Sequence, residues 1–217
     1  SEGLSLIMER AGMTNPDPAG EEKPFIPYAD CARAPDYLRE LFDKYVARMG
    51  FLPNALRLYM HRPEIAEGLW MLNDRIMRHQ SSTLDQGLKR RLAAIASRIN
   101  GCKYCTSHHC SILQNAAFAG SEGWGLSNEE LEEILNNEWQ PESALERACA
   151  RFVTEASTDP AAVSEATYQD LCRHLGPEQI VELATVVGFW KMYNTIHDSL
   201  KVPIEASLHD TSLKTGL

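Results

Sequence analysis

The 217-residue chain is poor in basic charge. Its 21 Lys and Arg stand against 30 Asp and Glu, a formal net charge of −9. A nucleic-acid groove needs clustered cations to replace the counterions of phosphate, and the densest cluster, Lys89-Arg90-Arg91, reads as one solvated helix face. Long hydrophobic runs are missing as well. The longest, Ile180 to Phe189, is interrupted by Glu182 and is too short to span a bilayer, so no membrane partner is expected. No basic segment followed by an apolar stretch opens the chain, so no secretory signal is expected. Ser1 in place of Met reads as processing, which leaves a leader already removed as the alternative. Strand-like alternation and fixed-period repeats are also absent, although helical hairpins recur in both halves.

The remaining composition, 44% hydrophobic and 24% charged, suits one globular domain or two small, intimately packed halves. Six cysteines are present: Cys31, Cys102, Cys105, Cys110, Cys149 and Cys172. A disulfide framework is typical of short secreted chains, and a domain of this length buries a core without staples. The expectation is therefore a reducing, cytoplasmic setting. Cys149 and Cys172 lie in helical patterns and read as small core residues.

Residues 1–35 carry Pro16, Pro18, Pro24, Pro27 and Pro35 and read as an N-terminal arm, with a short helix over Leu4 to Met13. Residues 36–217 read as an all-helical domain of eight or nine helices. Leu38, Leu41, Phe42, Tyr45, Val46 and Met49 form a helical stripe that Gly50 stops. Asn54 caps a short helix, and Pro63 fits the first turn of Glu64 to His79. Thr83 with Gln86 reads as a capping box for Leu84 to Ile99, and Asn100-Gly101 ends that helix. A helix over Cys102 to Ala119 and a Gly-rich loop, Gly120 to Gly125, come next. Ser127 with Glu130, and Ser143 with Glu146, open two more helices, and Val163 to His174 follows. Pro177 starts a long apolar helix to about Leu200.

Cys102-Lys103-Tyr104-Cys105 and His109 are the residues that point most directly to chemistry. The Asn100-Gly101 break places both thiols in a first helical turn, where free N–H groups and the positive dipole end favour a thiolate. At about 100° per residue, Cys105 and His109 fall about 60° and 20° from Cys102, so the three share one face. His109, four residues after Cys105, is placed to take its proton. Zinc is the rival: Cys102, Cys105, His109 and Cys110, or His108, offer four ligands. Cys110 and His108, however, fall about 80° and 120° to opposite sides, and one helix cannot gather all four. Redox chemistry is therefore preferred to metal, His108 reads as incidental, and Tyr104 as a pocket wall, a hydrogen-bond donor or a plain packing residue.

Leu92 to Leu113, with Ser97, Asn100, Cys102, Tyr104, Cys105 and His109, resembles the thiol motif of the alkylhydroperoxidase D-like branch of the carboxymuconolactone decarboxylase superfamily. Gly50-Phe51-Leu52-Pro53-Asn54 and Val187 to Val202 are similar to the opening segment and closing helix of its longer peroxidase-related members. The resemblance implies an all-α bundle, homo-oligomers such as trimers or hexamers, and no metal or organic cofactor. It implies an antioxidant peroxidase that reduces hydroperoxides, or a partner disulfide, through a redox-active disulfide. An external dithiol or thiol protein would be the reductant. Carried onto this chain, Cys105 is the attacking thiolate, His109 its proton partner and Cys102 the resolving thiol. Position alone would instead activate Cys102, the more N-terminal thiol.

One departure stands out. That branch usually carries a histidine-orienting glutamate about three turns before the first cysteine, and Arg90 occupies that place here. A cation cannot accept the imidazole proton. Arg90 could hold a thiolate or an acidic substrate, and Asp85 or Glu182 are the carboxylates considered for the relay. Phe189, Trp190 and Tyr193 read as core or as pocket walls. The remaining alternatives are a decarboxylase-like enzyme, which does not depend on the cysteine pair, and a non-enzymatic helical oligomer that senses redox state or binds metal.

Overall fold

A computed structural model describes residues 23–115 and 124–208. Among them are nine α-helices and no strand, as the sequence pattern predicts. In chain order these are α1 (Asp36–Met49), α2 (Asn54–Tyr59), α3 (Pro63–Met77), α4 (Gln86–Ile99), α5 (Lys103–Gln114), α6 (Asn128–Leu135), α7 (Ala144–Thr158), α8 (Glu165–His174) and α9 (Pro177–Ser199). Short 3-10 turns lie at Cys31–Arg33, Pro160–Ala162 and Ala206–Leu208. The expected helix over Leu4 to Met13 and most of the Gly-rich loop lie outside the described residues. Among the described residues no helix is long and apolar enough to cross a membrane.

Helix α4 is the hub, packed against α5, α7 and α9. Its Ala93, Ala94 and Ala96 are fully buried, and such small side chains let neighbouring helices approach closely. Around it Leu92, Leu131 and Leu183 are wholly shielded from water, each contributing about 1.5–3 kcal/mol by leaving solvent. A second apolar cluster joins α1 and α2 to the segment Val202 to Leu208. Helix α5 spans both clusters: Cys102, Tyr104 and Cys105 belong to the second, Cys110 and Leu113 to the first. The thiol pair thus sits on the seam between two cores.

Local signals set most boundaries. Ser127 and Glu130 form the expected capping box, and Ser143 accepts from the Glu146 N–H. Asp85, not Thr83, caps α4, accepting from the Leu88 N–H at 2.8 Å. Thr83 is otherwise engaged, since its N–H and hydroxyl both donate to Glu182 Oε2 at 2.8 Å. Asn54 is the first residue of α2 instead of its cap, and its amide donates to the Pro203 carbonyl at 3.0 Å. Ser164 caps α8. Of the two cysteines expected in the core, Cys149 is buried but Cys172 is exposed, because it lies on the outer face of the short α8.

The largest correction concerns Lys89 and Arg90. Instead of forming a solvated face they are 0% and 6% exposed. They lie on the face of α4 that meets α3, α5 and α9, so the neighbours, not the residue types, decide their surroundings.

Candidate active site

The turn between α4 and α5 delivers the first thiol. Gly101 adopts φ +81°, a left-handed conformation open to glycine at little steric cost. The Cys102 N–H then reaches back to the Ser97 carbonyl at 3.1 Å, the long bond of a Schellman ending. Cys102 becomes the N-cap of α5, its sulfur accepting from the Cys105 N–H at 3.4 Å. One turn on, Cys105 Sγ lies 3.0 Å from Cys102 Sγ, and both are free thiols.

Helix α9 brings the histidine that meets this pair. His197 Nδ1 is 2.9 Å from Cys105 Sγ, and its Nε2 is 2.5 Å from the Tyr59 hydroxyl. His109, expected in that role, instead turns the other way. Its Nδ1 accepts from Arg90 at 3.1 Å, and its ring meets Trp190 edge-on at 4.1 Å. The spacing of four residues placed His109 near Cys105 along the helix. The side-chain direction was decided by α4 and α9. His197 lies in the stretch Val187 to Val202 already compared with the closing helix. The available signal was its seven-residue spacing from Trp190, which aligns Trp190, Tyr193, Asn194 and His197 on one face.

Burial governs the charge states. Cys105 is pushed well above the usual thiol range, first by desolvation and then by its bond to Cys102. The expected lowering at a helix start is overridden, because a dry environment penalises a thiolate more than one turn of dipole rewards it. His197 falls to about 3, through desolvation and then the charge of His108. His109 lies well below its ordinary value, through desolvation and then the Arg90 cation. The resting site is a neutral thiol against a neutral imidazole.

A third cluster surrounds His108, read from the sequence as incidental. Its Nε2 is 2.7 Å from Glu205 Oε2, while Glu205 Oε1 accepts from Tyr104 at 2.8 Å and from the Asn54 N–H at 2.6 Å. Burial alone would raise the Glu205 carboxyl, but the His108 charge and these bonds bring it below the ordinary value. Tyr104 combines both expected roles, since it lines the cavity and donates a hydrogen bond. The relay candidates do neither. Asp85 caps α4 and Glu182 bonds Lys89 at 2.8 Å.

His108 and Tyr104 border a cavity of about 700 Å³. Tyr59, Trp70, Tyr104, Trp190 and Tyr193 contribute its aromatic walls, with Cys105, His108, His109 and His197 on the same surface. Phe189 packs behind Trp190 and Tyr193 at centroid distances of 5.2 and 4.3 Å. Among the described residues, Cys102, Cys105 and His197 are the group able to hold a metal, their ligand atoms all within 4.8 Å of one another. The four-ligand set weighed from the sequence is not assembled: Cys110 belongs to the other core and its thiol is pushed up to about 12 by burial.

Solved structures with the same architecture match nearly the whole chain. An uncharacterised peroxidase-related protein from Ralstonia eutropha JMP134, described as an alkylhydroperoxidase AhpD core, superposes with a TM-score of 0.74 at 20% identity. The match covers 88% of this chain and 96% of that one. The chain has the alkylhydroperoxidase D-like fold. A peroxidase-related protein from Silicibacter sp. TM1040 gives 0.73 at 22% identity over 88% and 96% of the two chains. The debrominase Bmp8 gives 0.70 at 24% identity over 87% and 96%, and a cysteine-to-alanine variant of it has been solved with 2,3,4-tribromopyrrole. No family model and no curated protein matches the sequence. At these identities the AhpD-like likeness is one of fold, and the chemistry rests on the residues above.

Proposed function

We propose that the protein is a thiol-dependent peroxidase that reduces a hydroperoxide bound in the 700 Å³ cavity. The observation that carries this reading is the chain of contacts from Cys102 Sγ to Cys105 Sγ (3.0 Å) to His197 Nδ1 (2.9 Å) at the cavity wall. Cys105, the thiol that lines the cavity, is the nucleophile. His197 takes its proton as the sulfur attacks the terminal peroxide oxygen, and that proton passes to the departing alkoxide, giving an alcohol. Cys105 is left as a sulfenic acid. Cys102 then attacks its sulfur, the disulfide forms and water leaves. The two sulfurs need approach by only about 1 Å to reach the S–S bond length of about 2.05 Å. An external dithiol reduces the disulfide by exchange.

This assignment moves the proton partner from His109 to His197. It also answers the missing relay carboxylate, since Tyr59 takes the second ring nitrogen of His197.

The aromatic walls support a second substrate, a brominated heteroarene like the one bound by the debrominase variant. The same two thiols would supply the two electrons: aryl bromide and dithiol give arene, disulfide and hydrogen bromide.

The decisive measurement is dithiol-dependent consumption of cumene hydroperoxide. Cys105→Ser should abolish turnover. Cys102→Ser should stop after one equivalent with a sulfenic acid that dimedone traps, and His197→Ala should lower kcat/KM by about 10²-fold. Equal rates in wild type and Cys105→Ser would sink the peroxidase reading.

A further inference from the structure

Three buried N–H groups on residues that line the cavity have no acceptor: Arg90 Nε, His109 Nε2 and Trp190 Nε1. Their residues are 6%, 1% and 6% exposed, and the three nitrogens themselves are shielded from water. All three are donors. An Arg90 nitrogen donates to His109 Nδ1, so a neutral His109 carries its proton on Nε2. The Trp190 indole and the guanidinium have no acceptor form at all. A buried donor left unsatisfied is costly, and three on residues that line one cavity mark a position built for an acceptor-rich group.

The charge of the wall has the same sense. Lys44, Arg78 and Arg90 line the cavity against one carboxylate, Asp74. Asp74 is taken by Arg78, 3.4 Å away, and Arg78 also donates to Asn73. Lys44 and Arg90 are left as cavity cations in a protein whose net charge is −9. Arg90 remains a cation at neutral pH, since desolvation, then the Arg78 charge, lowers it only to about 9.

We propose that Arg90, His109 and Trp190 form a carboxylate-binding subsite, and that the substrates of this cavity are small aromatic or branched organic acids. A planar carboxylate offers the lone pairs that the guanidinium Nε–H and the imidazole Nε2–H lack, while the aromatic walls take the hydrocarbon part. His109 follows Cys105 by one turn of α5, about 5–6 Å between Cβ atoms. An acid anchored there presents a reactive group on its far end to Cys105. The cation at position 90 thus acquires a role in substrate choice instead of proton relay. The substrate's reaction rests on the thiol reading above, but carboxylate binding does not.

Binding is tested with unreactive probes. Calorimetry compares 4-isopropylbenzoate with the neutral, isosteric 4-isopropylbenzamide on the reduced full-length protein. The benzoate should bind at least tenfold more tightly than the amide in wild type, and Arg90→Gln should erase that preference. Arg90→Lys, which keeps the charge but loses the Nε–H, should retain part of it and serves if Arg90→Gln does not fold. Equal affinity for both probes in wild type overturns the subsite, and a preference that survives Arg90→Gln overturns its assignment to Arg90.

Turnover separates the two readings. The acid 4-(2-hydroperoxypropan-2-yl)benzoate should exceed its methyl ester in kcat/KM by at least tenfold, a ratio that collapses in Arg90→Gln. Benzoate binding without turnover of any hydroperoxide defeats the peroxidase reading and leaves the subsite standing. Turnover with no preference for the acid defeats the subsite alone.

Discussion

Lys89 and Arg90 are adjacent, basic and buried on α4, yet their surroundings are opposite. Lys89 Nζ donates to Glu182 at 2.8 Å, to the Ile76 carbonyl at 2.7 Å and to the Ser82 hydroxyl at 2.5 Å. All three ammonium protons are matched. Arg90, one residue on, meets a neutral imidazole and leaves its Nε–H without an acceptor. Because consecutive residues on a helix point about 100° apart, one cation enters a closed ion pair between α4 and α9 and the other enters the cavity. The first arrangement is complete without a ligand, the second only with one.

Glu182→Gln removes the counter-charge of a wholly buried ammonium, and unfolding in denaturant should show a loss of about 3 kcal/mol. An unchanged midpoint would mean that Lys89 finds enough compensation in the Ile76 and Ser82 oxygens.

Acid unfolding should show a smaller effect of the same pair. Burial tends to raise the Glu182 carboxyl, but bonds from Lys89, Ser82 and Thr83 outweigh it and hold the group at about 2. Its folded value lies below the unfolded one, so its stabilisation is present above about pH 4.3 and fades as pH falls towards 2. Both proteins should lose stability across that window, and the advantage of wild type over Glu182→Gln should shrink as pH falls through it.

His197 and His109, both depressed by burial, make stability decline from about pH 6.5 down into that window, because the unfolded chain takes up protons that the folded site refuses. His197→Gln should flatten this limb of a stability-against-pH curve.

Arg90→Met should give the smallest change. Replacing a desolvated, incompletely bonded cation with an apolar side chain of similar length is close to neutral, within about 1 kcal/mol of wild type. A loss as large as that of Glu182→Gln would show that Arg90 is structural and erase the contrast.

Much of the fold was legible because its signals are local. Capping residues such as Ser127 and Ser143, the left-handed Gly101 and the apolar stripes each act within a few residues of where they are read. Cys102 and Cys105 were legible for the same reason. His197 was not read as part of the site, since it lies 92 positions from Cys105 and reaches it only once α9 packs across α5. His109 was placed on the correct helix, but its side chain turns from Cys105 to Arg90.

By itself, then, the sequence determined an all-helical chain with two thiols one turn apart at a helix start, because helix formation and capping are short-range. The tertiary structure decided which histidine meets the sulfur, that burial outweighs the helix dipole in setting the Cys105 thiol, and that Arg90 faces a cavity while Lys89 faces a carboxylate. Each of these depends on dielectric and on groups distant in sequence, and both arise only when helices pack.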